Sequence, residues 1–244
     1  MVYPVYPLSA RDSSRFVDRS RELGACLTSL SGRLESLVNF QTMVMSLTSM
    51  HIANASLLDE ATAAAEGMVM AFTASNFKKR AFFVDSAVAP QTVAVLQTRC
   101  KGFGINLRVG DVSSLRKEDM ENLHICGVLV QYPDVNGSIR DFSALSQIVH
   151  STGALVVVAT DLLALSLLKP PGEWGADIVL GSSARFGVPV GYGGPHAAFF
   201  ATTEKLKRKM PGRLIGRSKD VMGNSAYRLA LQSQFHHNQF PSYC

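Results

Sequence analysis

"ICGVLVQYPDVNGSIRDFSALSQIVHSTGALVVVATD", residues Ile125 to Asp161, decides the fold. Its opening run, ICGVLVQYPD, lacks the polar alternation of a half-buried strand and is stopped by Pro133, so it reads as a strand covered on both faces. DFSALSQIVHSTG (141–153) follows as a helix that ends at Gly153, and ALVVVATD (154–161) is a second buried strand. Two strands joined through a helix pair in parallel, because the helix supplies the crossover.

The same alternation extends outward. Upstream, RAFFVD (80–85) is a short strand, PQTVAVLQTRCKGFG (90–104) opens with Pro90 at a helix-start position and closes on Gly102 and Gly104, and INLRVGD (105–111) alternates as a strand. LLDEATAAAEGMVMAFTAS (57–75) is an Ala-rich helix with Asp59 and Glu60 near its start, where the helix dipole favours negative charge. Downstream, Asp177 to Leu180 forms another short strand. The order predicts an α/β fold, a mostly parallel sheet flanked by helices on both faces. In such sheets the ligand crevice lies beyond the carboxyl ends of the strands. Asp161 stands at such an end, as a turn former or helix cap on spacing alone.

Composition narrows the function classes. Hydrophobic residues make up 47% of the chain, but the apolar runs are broken before the roughly 18 residues a membrane span requires, so no membrane partner is expected. The formal charge of +5 is spread out. Its small clusters, Lys78-Lys79-Arg80 and Lys205-Lys207-Arg208-Lys209, read as solvated faces; no groove-reading or aromatic element accompanies them, so no nucleic-acid partner is expected. Cys26, Cys100, Cys126 and Cys244 are far apart, with no metal-ligand spacing, and read as reduced structural thiols. The first residues, MVYPVYP, do not resemble a secretory signal. Residues 11–21 are Arg- and Ser-rich, but Asp12, Asp18 and Glu22 argue against a transit peptide.

GSSARFGVPVGYGGPHAAFF (181–200) packs five glycines and two prolines into an apolar run nearly free of charge. Such clustering marks tight turns or a close approach, and a phosphate cradle, a cofactor loop and a plain turn all fit it. A dinucleotide fingerprint does not, because GYGGPH is not GxGxxG and does not open a helix directly after a strand.

GRLESLVNFQTMV, ANASLLDEATAAAEG, PQTVAVLQTR, ATDLLALSLLKPPGEWGADIVLGSSARFGVPVGYGGPHAAFFAT and MPGRLIG together resemble the amino-terminal half of the glycine cleavage system P-protein family, the pyridoxal-phosphate-dependent glycine decarboxylases. The resemblance covers about residues 31–232 and leaves 1–30 and 233–244 as divergent ends. It implies the large domain of a fold-type-I pyridoxal-phosphate enzyme, as in aspartate aminotransferase, present here as a partial chain. Two similar halves occur in the family, as one chain or as two subunits, and the carboxyl-terminal half holds the cofactor through the Lys of an HKT triplet before a proline- and glycine-rich loop. Setting that loop on Pro189 to Pro195 places the Schiff-base position at Ala184, which has no amine. Arg185 next to it stays protonated and cannot act as the nucleophile.

The resemblance also matches Asp161 to the acid that pairs with the pyridine nitrogen in the catalytic half. Here it is read as a relic that braces a turn. The loop around Gly191, Tyr192, Gly193, Gly194 and His196 is expected to line the entrance to the site of a lysine-bearing partner half. Tyr192 reads as a packing residue, and His196 either as a hydrogen-bonded residue of a packed loop or as a contact to substrate or to the lipoyl H-protein. In SLLDEATAAAEG, Asp59 and Glu60 oppose a phosphate, so that segment is read as closing an interface. Leu34, Leu37, Val38, Met43 and Val44 read as a core-facing helix stripe. The implied cofactor is pyridoxal phosphate bound by the partner half, and none is expected on this chain alone. The compartment implied is mitochondrial in a eukaryote and cytoplasmic in a bacterium. Both ends are expected to be altered or truncated relative to the family, with the catalytic half missing. A stand-alone binding or regulatory domain and a non-functional fragment are the competing readings.

Overall fold

The computed structural model describes residues 26–230. The first 25 residues and the last 14, which hold Cys244, most of the amino-terminal divergent end and all of the carboxyl-terminal one, lie outside the described residues, while residues 26–30 open the helix Cys26–Thr48.

The sheet is built around residues 125–161. β4 (Ile125–Tyr132) and β5 (Leu155–Thr160) pair in parallel, Val128 opposite Val156 and Val130 opposite Val158, with α5 (Ser143–Ser151) as the crossover. β2 (Ala81–Asp85), β3 (Asn106–Gly110) and β6 (Ile178–Ser182) continue the parallel sheet on either side. β7 (Ala198–Thr202) and the two-residue β1 (Ile52–Ala53) complete seven strands in the order β1-β7-β6-β5-β4-β2-β3, with β7 antiparallel to both neighbours. A separate hairpin, β8 (Leu214–Lys219) with β9 (Ser225–Ala230), follows.

Each face of the sheet carries its own core. One side gathers Val128, Val130, Val156, Val158, Val179 and Phe199 against Phe40 and Val44 of α1 (Cys26–Thr48), Val149 of α5, and the aromatic group Tyr132, Phe142 and Trp174. On the other, Phe82, Val84, Leu129, Val157, Ile178, Leu180 and Phe200 meet α2 (Glu60–Ala74) and Leu96 of α3 (Pro90–Phe103). Successive strand residues point to opposite faces, so burying both requires the unbroken apolar runs of β4 and β5.

Small side chains let α2 lie close on the sheet: Ala63, Ala64 and Ala71 are wholly buried beneath it. The helix starts at Glu60 rather than Leu57. Asp59 is its cap, accepting from the N–H groups of Ala61 (3.1 Å) and Thr62 (3.3 Å), while Leu57 is drawn into backbone bonds with Ala198. α3 runs to Phe103 and ends as the glycines predict, on Gly104 in the left-handed region. β3 is an edge strand and is mostly exposed, whereas the short α4 (Lys117–Asn122), β7 and the β8–β9 hairpin had no counterpart in the sequence reading. In α1, Leu34 and Val44 are buried and Leu37, Val38 and Met43 half-buried, as the stripe required.

Candidate functional site

The carboxyl ends of β5 and β6 meet the amino terminus of α2. β5 and β6 approach so closely that a Cβ on Gly181 would stand 2.0 Å from the Thr160 carbonyl oxygen, so only glycine fits. Just beyond, Asp161 is engaged on both oxygens. Oδ1 accepts from the Leu163 N–H at 3.0 Å and Oδ2 pairs with Nε of Arg185 at 3.2 Å.

On the neighbouring strand, the Ser182 N–H donates to Oε2 of Glu60 at 3.2 Å, and the Ala184 N–H donates to Oγ of Ser182. Ala184 opens a single 3-10 turn, Ala184–Phe186, whose carbonyl bonds come from Gly187 and Val188. Phe186 is buried and meets Phe40 of α1 edge-on, with centroids 6.5 Å apart. Glu60, Asp59 and Asp161 therefore share one small region with Arg185. Burial pushes the Glu60 carboxyl above its usual range; the Ser182 N–H opposes this, and the charges of Asp161 and Asp59 add to it.

Beyond the turn the chain leaves the body of the protein. Val190 and Tyr192 are fully exposed, and Tyr192, Gly193 and Gly194 all have positive φ (49°, 78° and 66°). Two glycines in succession make such a path accessible, while Tyr192 adopts it at a cost in strain. Among the described residues Tyr192 packs against nothing, contrary to the packing role expected of it. Gly191 and His196 are exposed as well, and Gly194 donates its N–H to the Gly191 carbonyl. The loop returns at Ala197, whose carbonyl accepts from the Ser183 N–H at 2.9 Å.

A second charged group lies at the ends of β2 and β4, and the sequence reading missed it. Asp85, buried at 1% exposure, pairs with Arg140 and accepts from the Val112 N–H at 3.3 Å. The Arg140 guanidinium also lies 5.0 Å from the Phe142 ring and 3.8 Å from Asp134. Asp134 is held below the usual carboxylate range, chiefly by the N–H of Ser138. Asp85 had been legible as a strand end, but nothing near Arg140 in sequence marks it as the partner.

Other features stand apart from this edge. Cys100 and Cys126 are buried free thiols, and burial raises Cys126 to about 12. Among the described residues no group of three or more His, Cys, Asp or Glu side chains could hold a metal, and no helix is long and apolar enough to cross a membrane. An open groove of about 580 Å³ beside β3, lined by Lys101 and Arg108 among others, lies at the far edge of the sheet.

Comparison with known proteins fits this geometry. The glycine cleavage system P-protein family matches residues 29–239. Glycine dehydrogenase (decarboxylating) of Cereibacter sphaeroides is 58% identical over 206 residues, 84% of this chain, and the same enzyme of Stenotrophomonas maltophilia is 57% identical over the same length. The chain spans about a fifth of the length of these curated relatives (21%). Among solved structures, an inhibitor-bound glycine decarboxylase (P-protein) of the glycine cleavage system superposes with a TM-score of 0.78 at 30% identity, over 93% of this chain and 52% of that one. Cystathionine γ-synthase from Xanthomonas oryzae shares the fold alone, with a TM-score of 0.54 at 19% identity over 72% of this chain and 43% of that one. The sheet and its helices are thus those of a fold-type-I pyridoxal-phosphate enzyme, and the chain belongs to the glycine cleavage system P-protein family.

Proposed function

We propose that this chain is a non-catalytic part of a glycine decarboxylase, and that it builds the interface and the substrate entrance for a lysine-bearing half which binds pyridoxal phosphate and passes the aminomethyl group to the lipoyl H-protein. The observation that carries the reading is the set of partners at the ends of β5 and β6. The family's cofactor, when bound, supplies an electron sink for glycine decarboxylation and needs a lysine amine to anchor it.

The residues present do not fit that group. No lysine occurs between Lys169 and Lys205, so the Ala184–Phe186 turn itself carries no amine. Asp161 already pairs with Arg185 and with the Leu163 N–H, leaving no free carboxylate for a pyridinium. The Ser182 N–H beside the start of α2, where a phosphate would bind, is taken by Glu60, whose charge repels an anion. What remains useful is shape. The 187–197 loop stands clear of both cores, and the loops after β4, β5 and β6 expose Val135, Ile139, Leu163, Leu167, Val190 and Tyr192, apolar surface that suits a protein partner.

The test is exchange of labelled carbon dioxide with glycine. A carboxyl-terminal half carrying the lysine, supplied with pyridoxal phosphate and H-protein, is assayed with and without this chain. Exchange well above either part alone is the expected result. No gain would favour a stand-alone binding domain or a non-functional fragment, and exchange by this chain alone would overturn the reading of Ala184.

A further inference from the structure

We propose that the Arg185–Asp161 ion pair is a latch that sets the position of the 188–196 loop, which makes Arg185 a positioning residue for the entrance that this loop lines. The second half of the statement rests on the proposed function; the latch itself does not.

The loop has two roots and no other support within the described chain. Its returning root is the bond from the Ser183 N–H to the Ala197 carbonyl. The departing root is the turn Ala184–Phe186, where two neighbouring side chains point to different anchors. Phe186 goes down into the core against Phe40, and Arg185 reaches across to Asp161 at the end of the adjacent strand. Together with the bond from the Ala184 N–H to Oγ of Ser182, the two anchors hold the turn at three points. Gly187, with φ 112°, then releases the chain, and from Pro189 to Pro195 the one backbone bond within the loop joins Gly194 to Gly191. The direction in which the loop departs is therefore decided at residues 184–187.

Arg185 has a second reason to stay. It is the cation beside Asp161, whose negative charge already bears on the buried carboxyl of Glu60. Without Arg185, Asp161 would turn from a paired group into an unopposed one beside Glu60 and Asp59. The latch and the neutralisation are one contact.

The size of the effect follows from exposure. The side chains are 61% and 30% exposed, so the pair contributes modestly. Amide hydrogen exchange on the full chain, without any partner, reads it directly in R185M, D161N and the double variant. D161N keeps an acceptor for the Leu163 N–H and removes only the charge. The N–H groups of Gly187 and Val188, bonded to the Ala184 carbonyl, should exchange about two- to five-fold faster in each single variant, the range a partly exposed ion pair supports. The double variant should exchange no faster than either single one, because both remove the same contact. R185K should recover part of the protection, and 1 M salt should bring the wild type toward R185M without changing R185M itself.

Amides of Val157 and Val158 in β5 serve as the internal control, and their rates should not change. Unchanged rates at Gly187 and Val188, multiplicative effects in the double variant, or an equal acceleration in β5 would each overturn the latch. The proposed function fails by a different result, an intact latch with no complementation in the exchange assay. If both hold, R185M in the complementing mixture should raise the KM for the H-protein more than it lowers kcat.

Discussion

On the proposed reading, Ala184 stands where the family's chemistry would need an amine, and the neighbouring Asp161 and Arg185 are paired with each other. Mixed with pyridoxal phosphate and treated with borohydride, the purified chain should therefore carry no pyridoxyl group at a unique site, which peptide mass mapping would check; one stoichiometrically labelled lysine would refute it. Restoring the amine alone should not restore the chemistry. In A184K the new ammonium would enter a region where Glu60, Asp161 and Asp59 offer it ion pairs, and Glu60 would still occupy the Ser182 N–H. Glu60 also gives a pH signature. Its folded value is raised, so the folded state binds this proton more tightly than the unfolded chain does. That contribution to stability is complete below the ordinary glutamate value and is lost as pH rises through the raised one. E60Q removes it, so the stability of E60Q relative to the wild type should be greater at pH 7 than at pH 4, read as urea midpoints at the two values. The wild-type profile alone would mislead, because Asp134 and other carboxylates held low contribute stability that is lost as pH falls.

Among the elements, α2 and the loop after β6 divide the work between them. α2 brings its own anions to its amino terminus: Asp59 caps two backbone N–H groups, and Glu60 reaches the end of β6. D59A should cost about 1 kcal/mol, the usual cost of losing a helix cap, with part returned as Glu60 is relieved of a like charge. The loop depends on backbone freedom instead. Gly194→Val places a β-branched residue at φ 66° and should reduce the gain in the complementation assay while leaving the thermal midpoint of the isolated chain within a few degrees, since no core contact is touched. The central strands were legible in the sequence because being buried on both faces demands unbroken apolar runs, as in β4 and β5. β7 was not: AFFAT is short, follows directly on the glycine-rich loop, and pairs antiparallel with β6 and β1, an arrangement only the tertiary fold specifies. At the site, the resemblance to the family is what singled out Asp161 and Ala184, and the charges of Asp59 and Glu60 led to the expectation that their segment closes an interface rather than holds a phosphate. The pairing of Asp161 with Arg185 was invisible, because it joins the ends of two neighbouring strands across a turn and has no spacing rule. The same holds for Asp85 and Arg140, 55 residues apart.

On the scale of the whole molecule, the carboxyl edge of the sheet differs from an ordinary soluble surface. Three consecutive loops, after β4, β5 and β6, each present two exposed apolar side chains: Val135 with Ile139, Leu163 with Leu167, and Val190 with Tyr192. Scattered exposed leucines need no explanation, but apolar residues gathered on loops at one edge of a sheet suit the partner-covered surface proposed above. The relatives are about five times longer than the stretch matched here, so there is ample chain in a full-length protein to cover it. Left uncovered in water, the edge should cover itself. The isolated chain is expected to sediment as dimers or larger species at micromolar concentration, with a distribution that shifts with concentration. Leu167→Lys together with Tyr192→Lys should move it toward monomer, since both side chains are exposed and a charge on each opposes apolar contact without disturbing either core. The same exchange at Val221 and Met222, exposed on the β8–β9 hairpin rather than on this edge, should leave the distribution as it was. A monodisperse wild-type monomer would instead favour a stand-alone domain whose exposed edge needs no partner. Association that responds only to the hairpin pair would place the sticky surface on the hairpin and remove the main support for an interface at the carboxyl ends of the strands.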